Sequence, residues 1–330
     1  MAETRSLWAM ADLVTPMAIR VAATLRLADR IAEGRRTAPE LAAAAQADAD
    51  ALDRLLRHLV AAGLFSRDAA GRYGVTELGK ALRDGHPAGL RWRLDIEGAV
   101  GRADLAFVQL LHTVRSGEAA FPVQFGRTFW DDLAGDPARA AVFDAEMGAD
   151  AVAWARDVVP AYDWGALGHV VDVGGGNGTL LITLLRAHSG LRGTLLDLPG
   201  AAAAARQAFA AAGLTERAEA VAGSFFEPLP RGAGGYLLMA ILHDWPDAEA
   251  GAILRRCAEA AGAEGKVFVI ERVGADGESP RTEMDLRMLA YFGGRERGVA
   301  QIAALAEAAG LRLAAVHPAG TLGIVELAAG

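Results

Sequence analysis

The stretch from Val170 to Leu180 constrains the fold more than any other part of this sequence, because an apolar run leads through four glycines into a helical pattern. Glycine lacks a Cβ atom, so it adopts positive φ readily and lets a ligand approach the backbone closely. A dinucleotide fingerprint counted from Gly174 would require glycine at position 179, which is threonine. Asp197 ends the next apolar run and could accept hydrogen bonds from a ribose diol. The loop therefore predicts a nucleoside site rather than a pyrophosphate site.

From about residue 166 the sequence alternates between apolar strand candidates and helical patterns. Strands separated by helices imply parallel βαβ crossovers, so we predict an α/β, doubly wound, mostly parallel Rossmann-like sheet. The predicted strands are 169–173, 193–197, 218–222, 235–241 and 266–271, and the predicted helices between them are 179–187, 201–212 and 247–261. A helix near 301–309 and two further strands, 311–317 and 322–327, complete the chain, and the last pair is expected to form an antiparallel hairpin at Gly320.

The first 110 residues or so carry helical patterns with short loops. Thr37 predicts a helix start, because Pro39 falls in the first turn and Glu40 lies three residues after the N-cap. A second helix over 50–62 precedes a hairpin over 64–75, and helix, helix, hairpin is the layout of a winged helix. DNA recognition is one interpretation of this layout. The charges on helix 50–62 are mixed rather than basic, however, and winged helices also serve as dimerisation scaffolds.

Length and charge bound the possible functions. A chain of 330 residues can form two domains with their own cores, and a net charge of −8 disfavours general affinity for nucleic acid. No apolar run approaches the roughly 18 residues needed to span a bilayer, and the first residues carry no apolar leader, so we expect a soluble, cytoplasmic protein. The single cysteine, Cys257, lies in a helical pattern that predicts buried packing. No spacing indicates a metal site.

The segment Leu242 to Asp247 carries the second informative motif. An apolar strand candidate over 235–241 leads into His243 and Asp244, and a Pro-Asp step then starts a helix. A histidine after a buried strand can be only a structural hydrogen-bonding group. At the carboxyl end of a strand beside a nucleoside loop it becomes a candidate general base, because imidazole titrates near physiological pH. Glu271 could accept a hydrogen bond from the ring N–H and fix its tautomer, while Glu296 could assist from the opposite wall.

Bulky apolar residues between positions 90 and 165 could line a pocket for a flat substrate. They are Trp92, Phe107, Phe121, Phe125, Phe129, Trp130, Phe143, Met147 and Trp154. Ordinary core packing is the simpler interpretation for any one of them. Near the start of the chain, Leu7, Trp8, Met10, Leu13 and Met17 form an apolar stripe that a second copy could cover.

Taken together, these motifs resemble those of the S-adenosylmethionine-dependent small-molecule O-methyltransferases of the plant caffeate and bacterial polyketide-tailoring type. The similar segments are DVGGGNG at 172–178, LLDLP at 195–199, AGSFFEPLP at 222–230, LHDWPD at 242–247 and GGRER at 293–297. The resemblance covers nearly the whole chain. It implies a winged-helix dimerisation domain over 1–90, a helical linker and substrate-pocket region over 91–165, and a catalytic domain that binds S-adenosylmethionine over 166–330. It also implies a homodimer.

The resemblance assigns roles to individual residues. It implies cofactor contacts from Asp172, Gly174, Gly176, Asp197, Leu198, Ser224, Phe225, Met239 and Trp245. Among these, Asp197 resembles the ribose ligand and Phe225 the residue that packs on adenine. It implies catalytic roles for His243, Glu271 and Glu296, and it places Asp244 in the same crevice. We predict a substrate pocket formed by Trp92, Phe129, Trp130, Phe143, Met147, Asp244, Met288 and Phe292. The sequence departs from the family pattern at Ser224, where Asp is common, and at Met239, Gly298 and Gly234, which stand where Lys, Thr and Asp are usual.

The implied activity is methylation of a phenolic hydroxyl on a small aromatic natural product, with His243 as general base. One alternative is C-methylation of a keto acid, although relatives of that kind pair the histidine with a second one for a metal, and residues 292–295 contain no histidine. Another is drift of the fold to hydroxylation, decarboxylation or a pericyclic step, against which the retained His243 argues. A third is a winged-helix regulator that senses a nucleoside.

Overall fold

A computed structural model describes residues 6–274 and 281–330. The chain divides into two compact units, Met1–Leu105 and Ala106–Gly330. No helix in the described ranges is both long and apolar enough to cross a membrane.

The first unit is a small helical domain with a two-stranded wing. Its elements are α1 Leu7–Ala11, α2 Val14–Thr24, α3 Leu27–Ala32, α4 Ala38–Ala45, α5 Ala49–Ala61, β1 Phe65–Arg67, β2 Tyr73–Val75, α6 Leu90–Leu94 and α7 Ala99–Asp104. The predicted start of α4 is confirmed, because Thr37 and Glu40 form a capping box. Helix α5 buries Leu52, Leu56 and Leu59 in the core of this unit, and β1 and β2 pair antiparallel. The winged-helix layout is therefore confirmed.

The second unit is built around a seven-stranded sheet. Its helices are α8 Leu110–Ser116, α9 Ala120–Phe125, α10 Phe129–Ala134, α11 Pro137–Val158, α12 Thr179–Ala187, α13 Pro199–Ala211, α14 Asp247–Ala261, α15 Thr282–Phe292 and α16 Val299–Ala308. Its strands are β3 His169–Val173, β4 Arg192–Asp197, β5 Ala218–Ala222, β6 Gly235–Met239, β7 Lys266–Glu271, β8 Leu311–Ala319 and β9 Leu322–Ala329.

The order of the strands confirms the predicted α/β architecture. They run β5-β4-β3-β6-β7-β9-β8, with β3 to β7 parallel and β9 antiparallel to both β7 and β8. Successive side chains of a strand point to opposite faces, and here each face has its own core. Val267 and Val269 of β7 pack with α14 and α16, whereas Phe268 and Ile270 pack with α12 and α13.

One boundary near the candidate site differs from the prediction. Strand β6 ends at Met239 rather than at position 241, because Ala240 has a φ of 55° in the left-handed region. Its N–H still donates to Ile270 O, at 3.0 Å. The chain then makes a 3-10 turn over Leu242–Asp244, and this turn carries His243. A left-handed residue without the freedom of glycine is strained, and such strain is concentrated at functional sites.

Candidate active site

The glycine loop lies between the carboxyl end of β3 and the start of α12. Gly174, Gly176 and Gly178 all have positive φ, at 75°, 58° and 82°. A Cβ atom at Gly174 would also lie 2.5 Å from Cδ1 of Ile241, whereas one at Gly176 would meet nothing within 4 Å. The loop thus needs glycine for its turn, and the space beside Gly176 is open to a ligand.

Two aspartates, one buried and one half-buried, lie under this loop. Asp197, at the end of β4, accepts hydrogen bonds from the backbone N–H groups of Gly176, at 2.8 Å, and Leu198, at 2.6 Å. Asp172, in β3, is 2% exposed, and its Oδ2 has no hydrogen-bond partner. Burial, and then the charge of Asp197, raise the pKa of Asp172 to about 7. Buried polar atoms are nearly always satisfied, so an orphaned carboxylate oxygen here indicates a ligand that donates a hydrogen bond or carries positive charge.

Aromatic side chains form a wall on another side of the loop. Phe225 lies 3.5 Å from the Cβ position of Gly174, and its ring centroid is 5.7 Å from that of Trp245. Ser224 Oγ accepts a hydrogen bond from Phe226 N, at 3.2 Å. Met239 is half-buried against the core on the α12 face of the sheet, and Leu198 is exposed. The structure thus places Phe225 and Trp245 together near the loop, as an apolar surface that a flat ring could contact.

The ring of His243 is held by Glu296, not by Glu271. Its Nδ1 lies 2.9 Å from Oε1 of Glu296, while Glu271 Oε1 accepts from the backbone N–H of His243, at 3.1 Å. The expectation that Glu271 binds the ring N–H is therefore wrong. The reason is the 3-10 turn after Ala240, which directs the peptide N–H of His243, rather than its ring, toward the end of β7.

Glycine at 294 lets the Glu296 segment approach the histidine turn. A Cβ atom at Gly294 would lie 2.2 Å from the backbone oxygen of His243, and Arg295 N donates to that same oxygen, at 2.9 Å. Only a residue without a side chain fits between the two segments. Because the two segments are in close contact, the carboxylate of Glu296, which is 6% exposed, lies next to the imidazole of His243.

Arg297 holds the 3-10 turn of His243 in place through hydrogen bonds to its backbone. Its role was not predicted from the sequence. Its side chain is 1% exposed. The guanidinium donates to the backbone oxygens of Leu242, at 2.7 Å, and Trp245, at 2.8 Å, and pairs with Asp247, at 2.7 Å. Arginine suits this position because its planar group offers several donors in fixed directions. The signal in the sequence was its place at the end of the GGRER segment, directly after Glu296.

Charge around His243 makes the imidazole a strong base. Burial alone would lower its pKa, but Asp244, the hydrogen bond to Glu296 and the charge of Glu271 together raise the pKa to about 9. Asp244 Oδ1 lies 3.5 Å from Nε2 of the ring. Burial also raises the pKa of Asp244, to about 7, with the charges of Glu271 and Glu296 adding to the shift and His243 opposing it. The carboxylates thus stabilise the protonated ring.

Four of the predicted pocket residues form one aromatic cluster: Phe129, Trp130, Phe143 and Phe292. Trp130 stacks on Phe292 with ring centroids 5.4 Å apart and an interplanar angle of 12°. Phe129 meets Phe292 edge to face at 5.0 Å, and Phe143 lies 6.2 Å from Trp130. The indole Nε1 of Trp130 is buried without a hydrogen-bond partner. An apolar cluster with one unused donor suits a flat aromatic molecule that carries an oxygen acceptor.

The other predicted pocket residues lie outside this cluster. Met288 is buried on α15, and Met147 is half-buried on α11. Trp92 belongs to the first unit, where the guanidinium carbon of Arg93 lies 4.7 Å from its ring centroid. Within the described ranges, no group of three or more His, Cys, Asp or Glu side chains could hold a metal ion.

The sequence matches one family of enzymes and is similar to several of its members. Residues 107–312 match the O-methyltransferase domain family, and residues 8–84 match the O-methyltransferase dimerisation domain. The chain is 59% identical over 321 residues to a 2,7-dihydroxy-5-methyl-1-naphthoate 7-O-methyltransferase of Streptomyces carzinostaticus, covering 97% of this chain and 96% of that protein. It is 44% identical over 318 residues to an aclacinomycin 10-hydroxylase of Streptomyces purpurascens, covering 94% of this chain and 85% of the relative.

A solved structure is similar over its full length. It is an O-methyltransferase from neocarzinostatin biosynthesis in complex with S-adenosylmethionine and 2-hydroxy-5-methyl naphthoic acid. The TM-score is 0.95 at 57% identity, with 100% of both chains covered.

Proposed function

The chain belongs to the family of S-adenosylmethionine-dependent O-methyltransferases, and on that premise we propose that it methylates a phenolic hydroxyl of a fused-ring aromatic acid with His243 as general base. The observation that carries the role of His243 is the bond between its Nδ1 and Glu296. An ionised carboxylate only accepts hydrogen bonds, so Nδ1 holds a proton. In the neutral ring, which a pKa of about 9 makes the minor form at neutral pH, Nε2 is the nitrogen left to receive a proton.

The residues of the glycine loop fit the cofactor. When bound, S-adenosylmethionine supplies an electrophilic methyl group on a sulfonium sulfur. Asp172 offers an unpartnered carboxylate oxygen to a cationic or hydrogen-bonding group, and Asp197 lies at the end of the next strand for the ribose hydroxyls. Phe225 and Trp245 provide the apolar surface for the adenine ring of the cofactor. Ser224, which replaces the usual Asp, has its Oγ oxygen engaged with Phe226 N and offers no carboxylate to adenine.

The protein assists methyl transfer in two ways. His243 accepts the hydroxyl proton at Nε2, and the resulting imidazolium lies between Glu296 and Asp244, which stabilise its charge. General-base assistance typically contributes about 10²–10⁴-fold. Holding the acceptor in line, which we assign to the aromatic cluster around Trp130, can supply roughly 7–11 kcal/mol. Alignment of the acceptor is therefore the larger contribution, and proton removal adds to it.

The proposed acceptor class rests on two supports. The relative at 59% identity is named for a dihydroxynaphthoate, and the solved neighbour at 57% identity holds a hydroxynaphthoic acid. Independently, Trp130 and Phe292, which stack on each other, bring an aromatic surface together with an indole N–H that has no hydrogen-bond partner. We also propose a cytoplasmic location, supported by the single cysteine, Cys257, which permits no intrachain disulfide.

Because one relative at 44% identity is a hydroxylase, hydroxylation is the alternative to methylation. The mass of the product distinguishes the two reactions. The test is incubation with methyl-deuterated cofactor and a panel of hydroxynaphthoic acids and matching hydroxynaphthalenes. We expect a product that gains one deuterated methyl group. A product that gains one oxygen atom, or loses carbon dioxide, would contradict the proposed reaction. In the same assay, His243→Ala should lose most of its turnover. The control is His112→Ala, at a half-exposed position on α8.

The match to the dimerisation domain makes a homodimer the assembly of this enzyme. In the first unit, Leu7, Trp8, Met10 and Leu13 are all at least 69% exposed. Exposed apolar stripes of this kind mark interaction surfaces, so this stripe is the surface that we expect a second copy to cover.

A further inference from the structure

Helix α11 packs directly against the glycine loop. A Cβ atom at Gly148 would lie 2.3 Å from Nδ2 of Asn177 in the loop, so the helix and the loop approach closely. The same amide group donates to the backbone oxygen of Asp144, at 3.5 Å. Asp144 and Gly148 are four residues apart and therefore share one face of the helix. Asp144 is thus held at the loop, where it is half-buried.

Asp144, Asp172 and Asp197 form an acidic trio around this loop. Within the described part of the chain, none of the three forms an ion pair with a basic side chain. Asp197 accepts only from backbone N–H groups, and Asp172 keeps one carboxylate oxygen without any partner at 2% exposure. Burial, and then the charge of Asp197, raise the pKa of both Asp144 and Asp172. Several carboxylates gathered in a partly buried space without a cation are unfavourable, and a bound cation relieves that cost.

The cation that suits the acidic trio is the sulfonium group of the cofactor rather than a metal ion. The described residues provide no cluster suited to a metal ion. The cofactor carries a sulfonium charge that disappears when the methyl group leaves, whereas its amino acid part is a zwitterion before and after the reaction. The trio therefore interacts with a net positive ligand before transfer and with a net neutral one afterwards.

We propose that Asp144 is a further cofactor-binding residue, and that the acidic trio favours S-adenosylmethionine over its product S-adenosylhomocysteine. The proposal depends on the cofactor and not on the identity of the acceptor or the role of His243. Attraction to the sulfonium in the bound state strengthens binding but does not accelerate transfer, since the charge is lost in the reaction. This attraction instead discriminates between cofactor and product. S-adenosylhomocysteine, which is neutral at sulfur, is bound less tightly and is displaced by S-adenosylmethionine.

Calorimetric titration of the intact enzyme tests the proposal with three ligands. They are S-adenosylmethionine, S-adenosylhomocysteine and sinefungin, in which an amine-bearing carbon replaces the sulfonium. We expect Asp144→Asn to weaken the two cationic ligands about five- to tenfold and S-adenosylhomocysteine less than about twofold, as for loss of one partly screened charge pair. The matched control is Asp157→Asn, the same change at an exposed position of the same helix, which should leave all three affinities unchanged.

Asp144→Glu keeps the charge and separates electrostatics from shape. It should retain the preference for the cationic ligands, and thermal unfolding of each variant confirms that the comparison is between folded proteins. Equal weakening of all three ligands by Asp144→Asn would overturn the proposal, because that result indicates contact with the shared amino acid part. Unchanged affinities in Asp144→Asn, or loss of the preference in Asp144→Glu, would overturn it as well.

Discussion

The contact between Glu296 and His243 makes a quantitative prediction for the ionisation of the imidazole. In the wild-type protein the pKa of His243 is raised to about 9, against the opposing effect of burial, by Asp244, the hydrogen bond to Glu296 and Glu271. Glu296→Gln removes one of these negative charges while leaving an amide oxygen that still accepts from Nδ1. The variant therefore preserves the orientation of the ring and changes its basicity.

The size of the shift follows from the strength of the lost interaction. A hydrogen bond to a charged group contributes about 1.5–3 kcal/mol, and one pKa unit corresponds to about 1.4 kcal/mol. Full loss would lower the pKa of His243 by about one to two units. Because the amide retains a neutral hydrogen bond, we expect a decrease of about one unit. The sign is fixed, since removing a nearby negative charge destabilises the protonated ring.

The assay is an NMR titration of the histidine rings in the ligand-free protein. The chain has seven histidines, so the signal of His243 can be assigned by its loss in His243→Gln. Glu283→Gln is the matched control, because Glu283 is on the surface of α15, where its side chain is 76% exposed. A titration of His243 that is unchanged in Glu296→Gln, or one that moves equally in Glu283→Gln, would refute the assigned contact.

Three further predictions concern the scaffold. Arg297→Met should lower the free energy of unfolding by about 2–4 kcal/mol, because the carbonyls of the His243 turn lose buried donors; denaturation by urea that matches wild type would contradict this. Gly174→Ala should lower the free energy of unfolding by about 1–3 kcal/mol, since the φ of Gly174 is 75° and the new Cβ would lie 2.5 Å from Ile241. Calorimetry should also detect weaker cofactor binding. A variant with both the stability and the cofactor affinity of wild type would contradict this geometry. Trp8→Glu should shift sedimentation toward monomer while circular dichroism stays unchanged, and a dimer of unaltered affinity would show that this exposed stripe lies outside the interface.

Local patterns in the sequence predicted much of the fold. The strand, glycine loop and helix over 169–187 follow from neighbouring residues alone, because apolar runs, glycine and helical periodicity act over short distances. The capping box at Thr37 is local in the same way. One exception was the end of β6, where Ala240 adopts a left-handed conformation that is uncommon for residues other than glycine. Tertiary hydrogen bonding of Ala240 to β7 accompanies this conformation.

The details of the candidate site depended on distant contacts and were predicted less completely. Glu271 and Glu296 are both near His243, yet which of them meets the ring depends on the direction of one 3-10 turn. Glu296 lies 53 positions after His243 in the sequence, and no local pattern fixes that pairing. Arg297 was missed for the same reason, since its partners lie on the turn and not on its own segment.

The most direct test of the account measures how the loss of His243 depends on the acidity of the acceptor. Turnover by His243→Ala should be compared with wild type for two acceptors of matched shape, one with an ordinary phenol and one that is already ionised at the assay pH. The account predicts a loss of about 10²–10⁴-fold for the first acceptor and a much smaller loss for the second, because no proton remains to be removed. Equal losses for both acceptors, or no loss for either, would contradict the claim that His243 is the base.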